Sequence, residues 1–282
     1  AVITLALGIG ANAAIFALVD AALLRPLPFH DADRVVMLWE RAPAGGRSGA
    51  SPLNLADWTT ASRSLTVTAG FMNGIGGMAM RGVDGASETV TRQWVSSRFF
   101  EVLGVAPAAG RMFEAGDDYG DTEAVVLSEG FWRTRFNADP SIVGRTLTLD
   151  GEPYRVMGVA PASFRWTRSP NVWGLVRIRP EPSLRTAYML VGVGRLAPGA
   201  TIEQARADVT AAAADLARTL PENRGRGAEL LPVREGLVGT DLRTTAMLFL
   251  AVVGFVLLIC CTNVANLLLA RATARLGAAN PE

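Results

Sequence analysis

The chain has 282 residues, half of them hydrophobic and 19% charged, with a net charge of +1. This apolar content with so little net charge excludes a disordered chain. Two adjacent cysteines exclude a disulfide scaffold, one histidine (His30) removes most histidine-based zinc sites, and 27 arginines against 26 acidic residues leave no electrostatic footprint for nucleic acid.

Residues 3–24 are apolar, with one formal charge, Asp20, and no proline. As a helix this run would measure ~33 Å, against ~30 Å of bilayer hydrocarbon, so a transmembrane helix over 1–24 is expected. Arg25-Pro26-Leu27-Pro28 ends it, because two prolines cannot continue a helix. Residues 33–40 read as a strand and 43–49 as a glycine-rich turn. Ser51-Pro52 has the form of an N-cap followed by proline at the first helical position, which predicts a helix over 53–61 with Leu55 and Trp58 facing inward. Residues 70–77, rich in glycine and methionine, follow no period. Strands are expected at 78–81 and 87–95, around a Val83-Asp84-Gly85 turn. A short helix over 99–103 stops at Gly104, an acidic loop occupies 114–123, a buried strand 124–127 and a helix 129–136.

Asp150-Gly151 between 146–149 and 154–159 predicts a β-hairpin, since this pair supplies the positive φ angles of a tight turn. A strand over 188–196 leads to a helix over 202–220, opened by Thr201 and Gln204 at capping-box spacing. Its apolar face runs through Ile202, Ala205, Val209, Ala212, Leu216 and Leu220. A strand over 229–233 follows. Residues 247–270 then carry neither charge nor proline, and at ~36 Å a second transmembrane helix over 245–271 is expected. Arg271 and Arg275 mark its cytoplasmic end, which makes 272–282 a cytoplasmic tail and puts 25–244 outside. That middle, with 25 arginines and 24 acidic residues, reads as a water-soluble α+β domain large enough to divide into two subdomains.

The motifs point away from catalysis. Gly8-Ile9-Gly10-Ala11-Asn12-Ala13 has dinucleotide-fingerprint spacing but lies inside an apolar helix rather than after a strand. Gly10 and Ala14 are instead candidates for close helix packing, as small residues one turn apart. Asn263 and Asn266, one turn apart in the second apolar run, are candidates for interhelical contact. No lysine exists, so no phosphate-binding G-x-x-x-x-G-K loop can form. Asp117, Asp118, Asp121 and Glu123 do not follow the calcium-loop order and read as a solvated turn. The six tryptophans, 39, 58, 94, 132, 166 and 173, read as core or subdomain-interface residues. With no nucleophile motif and no metal cluster, no enzyme, cofactor or metal site is expected.

The stretch LALGIGANAAIFALVDAALLRPLPF resembles the start of MacB-like and FtsX-like ABC transporter permeases, particularly their duplicated-permease branch. VSSRFFEVLGVAPAAGRMF, VVLSEGFWRTRFNADPSIVGRTLTLDGEPYRVMGVAPASF and GRLAPGATIEQARADV are similar to that family's periplasmic core domain. LLICCTNVANLLLARATAR is similar to the start of its FtsX-like membrane unit. The resemblance implies an extracytoplasmic domain of two parts, a porter-like βαβ part and an inserted subdomain near 96–184, flanked by two transmembrane helices. It further implies an inner-membrane, multi-pass permease subunit that relays motion from a separate cytoplasmic ATPase, the subunit that binds ATP, to the periplasmic domain. That domain would export or extract substrate or regulate a partner. Partners implied are that ATPase, a second permease subunit or repeat, a periplasmic adaptor or outer-membrane protein, and the lipid bilayer. A family member has at least four spans and a basic coupling helix, whereas LGAANPE continues into none, so the expectation is a fragment of a longer permease. On topology alone, a two-span sensor with an extracytoplasmic ligand domain fits the same pattern.

Overall fold

The computed structural model describes residues 30–81, 87–166, 170–179 and 181–238, together with Gly10, Leu27 and parts of the stretch 248–269. Contacts divide the chain into one unit, Leu27–Gly236, and a second made of Ala1–Pro26 and Leu237–Glu282.

The first unit begins with strands β1 (Val35–Arg41) and β2 (Arg47–Ser48), helix α1 (Pro52–Ala61), then β3 (Leu65–Met72), β4 (Gly76–Arg81) and β5 (Ser87–Ser96). Helix α2 (Phe99–Leu103) and β6 (Ala109–Gly110) lead to β7 (Glu123–Ser128), α3 (Glu129–Phe136), β8 (Thr146–Leu149), β9 (Glu152–Ala160) and β10 (Val172–Val176). The unit closes with β11 (Leu190–Leu196), α4 (Ile202–Thr219), β12 (Gly227–Pro232) and the start of α5 (Val233–Val238).

Two lobes arise from this order. In the first, β12, β1, β11 and β3 lie side by side, all antiparallel. With α1 between β1 and β3 and α4 between β11 and β12, this is a split β-α-β, ferredoxin-like arrangement. Both helices form for local reasons. Ser51 accepts a hydrogen bond from the Asn54 amide with proline at the first helical position, and Thr201 and Gln204 form a reciprocal capping box. Leu55 and Trp58 of α1 pack with Ala205, Val209 and Ala213 of α4 against Val36, Leu38, Leu190 and Leu230 of the sheet. The two helices are also tied by polar contacts. Asp208 of α4 accepts hydrogen bonds from the Ser62 and Ser64 hydroxyls (3.0 and 2.8 Å) and from the Arg63 and Ser64 amides.

The second lobe is inserted between β3 and β11. Its pairings run β5–β10, β10–β7, β7–β9, β9–β8, β8–β4 and β4–β5, which closes a ring of six strands. The predicted Asp150-Gly151 hairpin completes the ring. Both residues take positive φ (51° and 85°). The turn is pinned to β4 by the Asp150 amide donating to the Ala79 carbonyl and the Ala79 amide donating to Asp150 Oδ1, both at 2.7 Å. Met78, Met80, Val90, Val125, Leu127, Phe131, Leu149, Val156 and Val172 fill the barrel core. This second core starts at Met78, earlier than the boundary near 96 expected from the sequence, because the β4–β5 hairpin belongs to the ring.

Several expected elements are present. The strand at β1 starts two residues later than expected, after a 3-10 turn at Ala32–Arg34. Gly104 ends α2 with φ 66°. The acidic segment forms a 3-10 turn over Ala115–Tyr119. Four strands were not expected, the two-residue β2 and β6 and the longer β3 and β10. In β3 the glycine is a packing requirement: a Cβ on Gly70 would lie 2.7 Å from Leu190 Cδ1 of the neighbouring strand.

In the second unit no helix among the described residues is long and apolar enough to cross a membrane. Leu248, Phe249, Val252, Phe255, Leu258, Ile259 and Leu269 are exposed there. Apart from Gly10, the expected first span over 1–24 lies outside the described residues, as does the 272–282 tail.

Candidate functional site

The two lobes are joined by two chain crossings, the turn 73–75 between β3 and β4 and the return segment 177–189 between β10 and β11. Both run along one cleft of about 650 Å³. One wall comes from the first lobe, with Trp39 of β1 and Arg47 and Ser48 of β2; the other comes from the barrel, with Arg92 and Trp94 of β5. Met72, Ile75, Tyr188 and Met189 are also part of the lining.

Three arginines stack on the aromatic rings around this cleft. The Arg47 guanidinium lies 5.0 Å from the Trp39 ring centre, Arg92 lies 3.8 Å from Trp94, and Arg226 lies 3.4 Å from Tyr188. Their charge partners differ. Arg47 pairs with Glu229 at 2.8 Å and holds that carboxyl below its ordinary range. Arg226 pairs with Glu40 at 3.1 Å. Arg92 donates to Met78 Sδ at 2.7 Å, and no carboxylate among the described residues reaches it within ion-pair distance. Burial pushes the Arg92 guanidinium below its ordinary pKa.

Beneath Tyr188 lies a buried polar network. Glu40 has no exposed surface, a costly place for a carboxylate unless every oxygen is used. One oxygen accepts from the Ser51 amide (3.0 Å) and from Asn54 Nδ2 (2.6 Å), and the other accepts from Arg226. Asn54 Oδ1 in turn accepts from Asn223 Nδ2 (3.0 Å) and from Arg185 Nη1 (2.8 Å). Arg185 also pairs with Asp57 at 2.5 Å. Arg185 lies on the return segment, so this network ties the second crossing to α1.

On the opposite side of the junction the lobes share an aromatic core. Phe71 of β3 stands edge-on to Trp166 at 5.3 Å, Phe99 does the same at 5.3 Å, and Phe100 meets Trp173 at 5.7 Å. The Gly70 amide donates to Ser96 Oγ at 2.9 Å beside them. The junction is thus dry and aromatic on one side and open at the cleft, where arginines sit among apolar side chains.

The acidic segment works internally. Asp117 takes a two-pronged ion pair from Arg111 (2.6 and 2.8 Å), which holds its carboxyl below the usual range. Asp118 accepts from Ser97 Oγ at 2.6 Å, and its burial pushes its pKa up.

Of the residues singled out in the sequence, Gly10 is helical and exposed, with nothing within 4 Å of where a Cβ would stand. Ala14 lies outside the described residues. Asn263 and Asn266 are helical and exposed. Trp58, Trp166 and Trp173 are core residues, whereas Trp39 and Trp94 line the cleft. Sequence reasoning did not find the cleft arginines. The available signal was Arg92-Gln93-Trp94 in a strand, where residues two apart share a face.

The family pattern described as the MacB-like periplasmic core domain matches residues 1–212. A macrolide export ATP-binding/permease protein, MacB, from Burkholderia thailandensis is 33% identical over 82 residues, which amount to 28% of this chain and 13% of that protein. The fold is similar to the periplasmic region of MacB from Actinobacillus actinomycetemcomitans, with a TM-score of 0.53 and 13% identity over 76% of this chain and 95% of that one. It is also similar to a domain assigned to a permease protein from Porphyromonas gingivalis, with a TM-score of 0.54 and 15% identity over 72% of this chain and 92% of that one. With the family pattern covering well over half of its length, this chain belongs to the MacB-like periplasmic core domain family.

Proposed function

We propose that the chain is the extracytoplasmic part of an integral inner-membrane permease of ABC-transporter type, with flanking apolar segments that cross the bilayer. In this reading 3–24 and 247–270 are the spans, and Gly10, Ala14, Asn263 and Asn266 contact neighbouring helices. ATP is bound by a separate cytoplasmic ATPase, and this chain carries no cofactor and no catalytic residue. Motion of the spans reaches the 27–236 unit and changes how its two lobes stand to each other. That movement exports or extracts a periplasmic substrate or regulates a partner. Further partners are a second permease subunit or repeat and a periplasmic adaptor or outer-membrane protein.

The observation that carries this reading is the family match, in a chain whose two long apolar runs flank the folded unit. Exposed Leu248, Phe249, Val252, Phe255, Leu258 and Ile259 support the membrane assignment, since lipid is the solvent that suits such a surface. The two crossings beside the cleft support relative motion of the lobes, because a few residues at element ends suffice as a hinge.

The test is the location of the chain in an expressing bacterium. The protein should sediment with the inner membrane and leave it only with detergent. Alkaline phosphatase inserted at exposed Gly120 should be active, and protease should cut the domain in spheroplasts. A chain soluble without detergent, or a reporter at that position active only in the cytosol, overturns the assignment.

A further inference from the structure

The inter-lobe cleft has the size of a small-molecule site, and its charge is one-sided. Ligand pockets commonly enclose about 300–1,000 Å³, and this one is about 650 Å³. Two arginines line it and no aspartate or glutamate does. Of the two, Arg47 is neutralised by Glu229. Arg92 is half-buried against Trp94 and has no carboxylate partner among the described residues. Tyr154 and Asp150 favour the Arg92 charge from the barrel side, but no carboxylate among the described residues reaches ion-pair distance, so this wall of the cleft keeps an excess of positive charge, and a guanidinium withdrawn from water is costly without a close anion. The rest of the lining is what an apolar body needs: Trp39, Met72, Ile75, Trp94 and Met189.

We infer that this cleft binds a small organic carboxylate with an apolar ring or chain, its carboxylate on Arg92 and its body between Trp39 and Trp94. The two arginine–tryptophan pairs come from different lobes, Trp39–Arg47 from the first and Trp94–Arg92 from the barrel. A ligand seated between them touches both and favours one spacing of the lobes over others. A guanidinium takes a carboxylate through two parallel N–H···O bonds, which fixes orientation as well as charge. A neutral or cationic compound of the same shape leaves the Arg92 charge unmatched. This inference concerns binding and stands independently of transport.

The probe is 2-naphthoate, with 2-naphthamide and 2-naphthylmethylammonium as its neutral and cationic counterparts. Binding is read by ligand-observed NMR on the full chain in lipid nanodiscs, with empty nanodiscs as the blank. The carboxylate should bind at least about tenfold more tightly than either counterpart, the discrimination a charge-assisted pair supplies. Arg92→Gln should weaken 2-naphthoate by about tenfold and leave the amide unchanged, while Arg92→Lys retains part of the preference. Ile75→Trp fills the cleft while keeping Arg92 in the chain and should abolish binding of the carboxylate. Equal binding of acid and amide overturns the inference. So does unchanged 2-naphthoate affinity in a folded Arg92→Gln or Ile75→Trp chain.

Discussion

At the scale of single residues, the decisive group is Glu40. It is fully buried, and its two oxygens serve Ser51, Asn54 and Arg226 at 2.6–3.1 Å. A buried ion pair adds little stability over an apolar pair of the same shape, but removing one partner strands the other. Glu40→Ala leaves the Arg226 guanidinium, itself only 18% exposed, without its counter-charge. The expected loss is about 3–5 kcal/mol. For a unit of this size each kcal/mol lowers the melting temperature by roughly 2–4 °C. Thermal melts followed by near-ultraviolet circular dichroism check this, and a change of less than about 1 kcal/mol would contradict the network's role. The carboxylate was not singled out from the sequence, because Glu40 in VVMLWER looks like the polar end of a strand. Its partners come from positions 11 to 186 residues away, and only the folded chain brings them together.

At the scale of elements, the β8–β9 hairpin is the clearest case of local chemistry dictating structure. Asp150 and Gly151 both sit in the left-handed region, as the tight turn demands. A β-branched residue pays about 1–2 kcal/mol there. Gly151→Val should therefore lower the melting temperature by roughly 2–8 °C. The same change should weaken the pinning of the turn to Ala79 of β4, seen as faster amide exchange at Ala79 and Asp150. Helices α1 and α4 were legible for a related reason, since their caps at Ser51 and Thr201 are short-range hydrogen bonds written within four residues. Strand β3 was not legible. Its sequence, LTVTAGFM, runs into the glycine-rich turn, and Gly70 is there because Leu190 packs over it. Nothing near Gly70 in the chain announces Leu190. Strand β10 has the same difficulty, being five residues paired to β5 and β7 from distant parts of the sequence.

At the scale of the whole molecule, the two lobes are held by unlike materials. The aromatic core of Phe71, Phe99, Phe100, Trp166 and Trp173 is apolar and non-directional, so it tolerates small rotations. The Arg185 contacts to Asn54 and Asp57 are directional and fix the return segment to α1. Arg185→Ala should loosen the return segment 181–189 without disturbing the barrel. Hydrogen–deuterium exchange should rise in that segment while β7 and β9 keep their protection. Equal protection in all three would mean that the strap carries no part of the junction's stiffness.

By itself the sequence determined everything that depends on neighbours along the chain. The caps at Ser51 and Thr201, the Asp150-Gly151 turn, the period of α4 and the apolar runs at 3–24 and 247–270 are properties of a few consecutive residues. The stretches that resemble the family are likewise contiguous. Tertiary structure alone decided the closing of six strands into a ring, the start of the second core at Met78, the burial of Glu40 and the stacking of Arg92 on Trp94 beside the cleft. Each of these sets residues far apart in the chain against one another. Burial and charge pairing are relations between such residues, and no single stretch of sequence contains them.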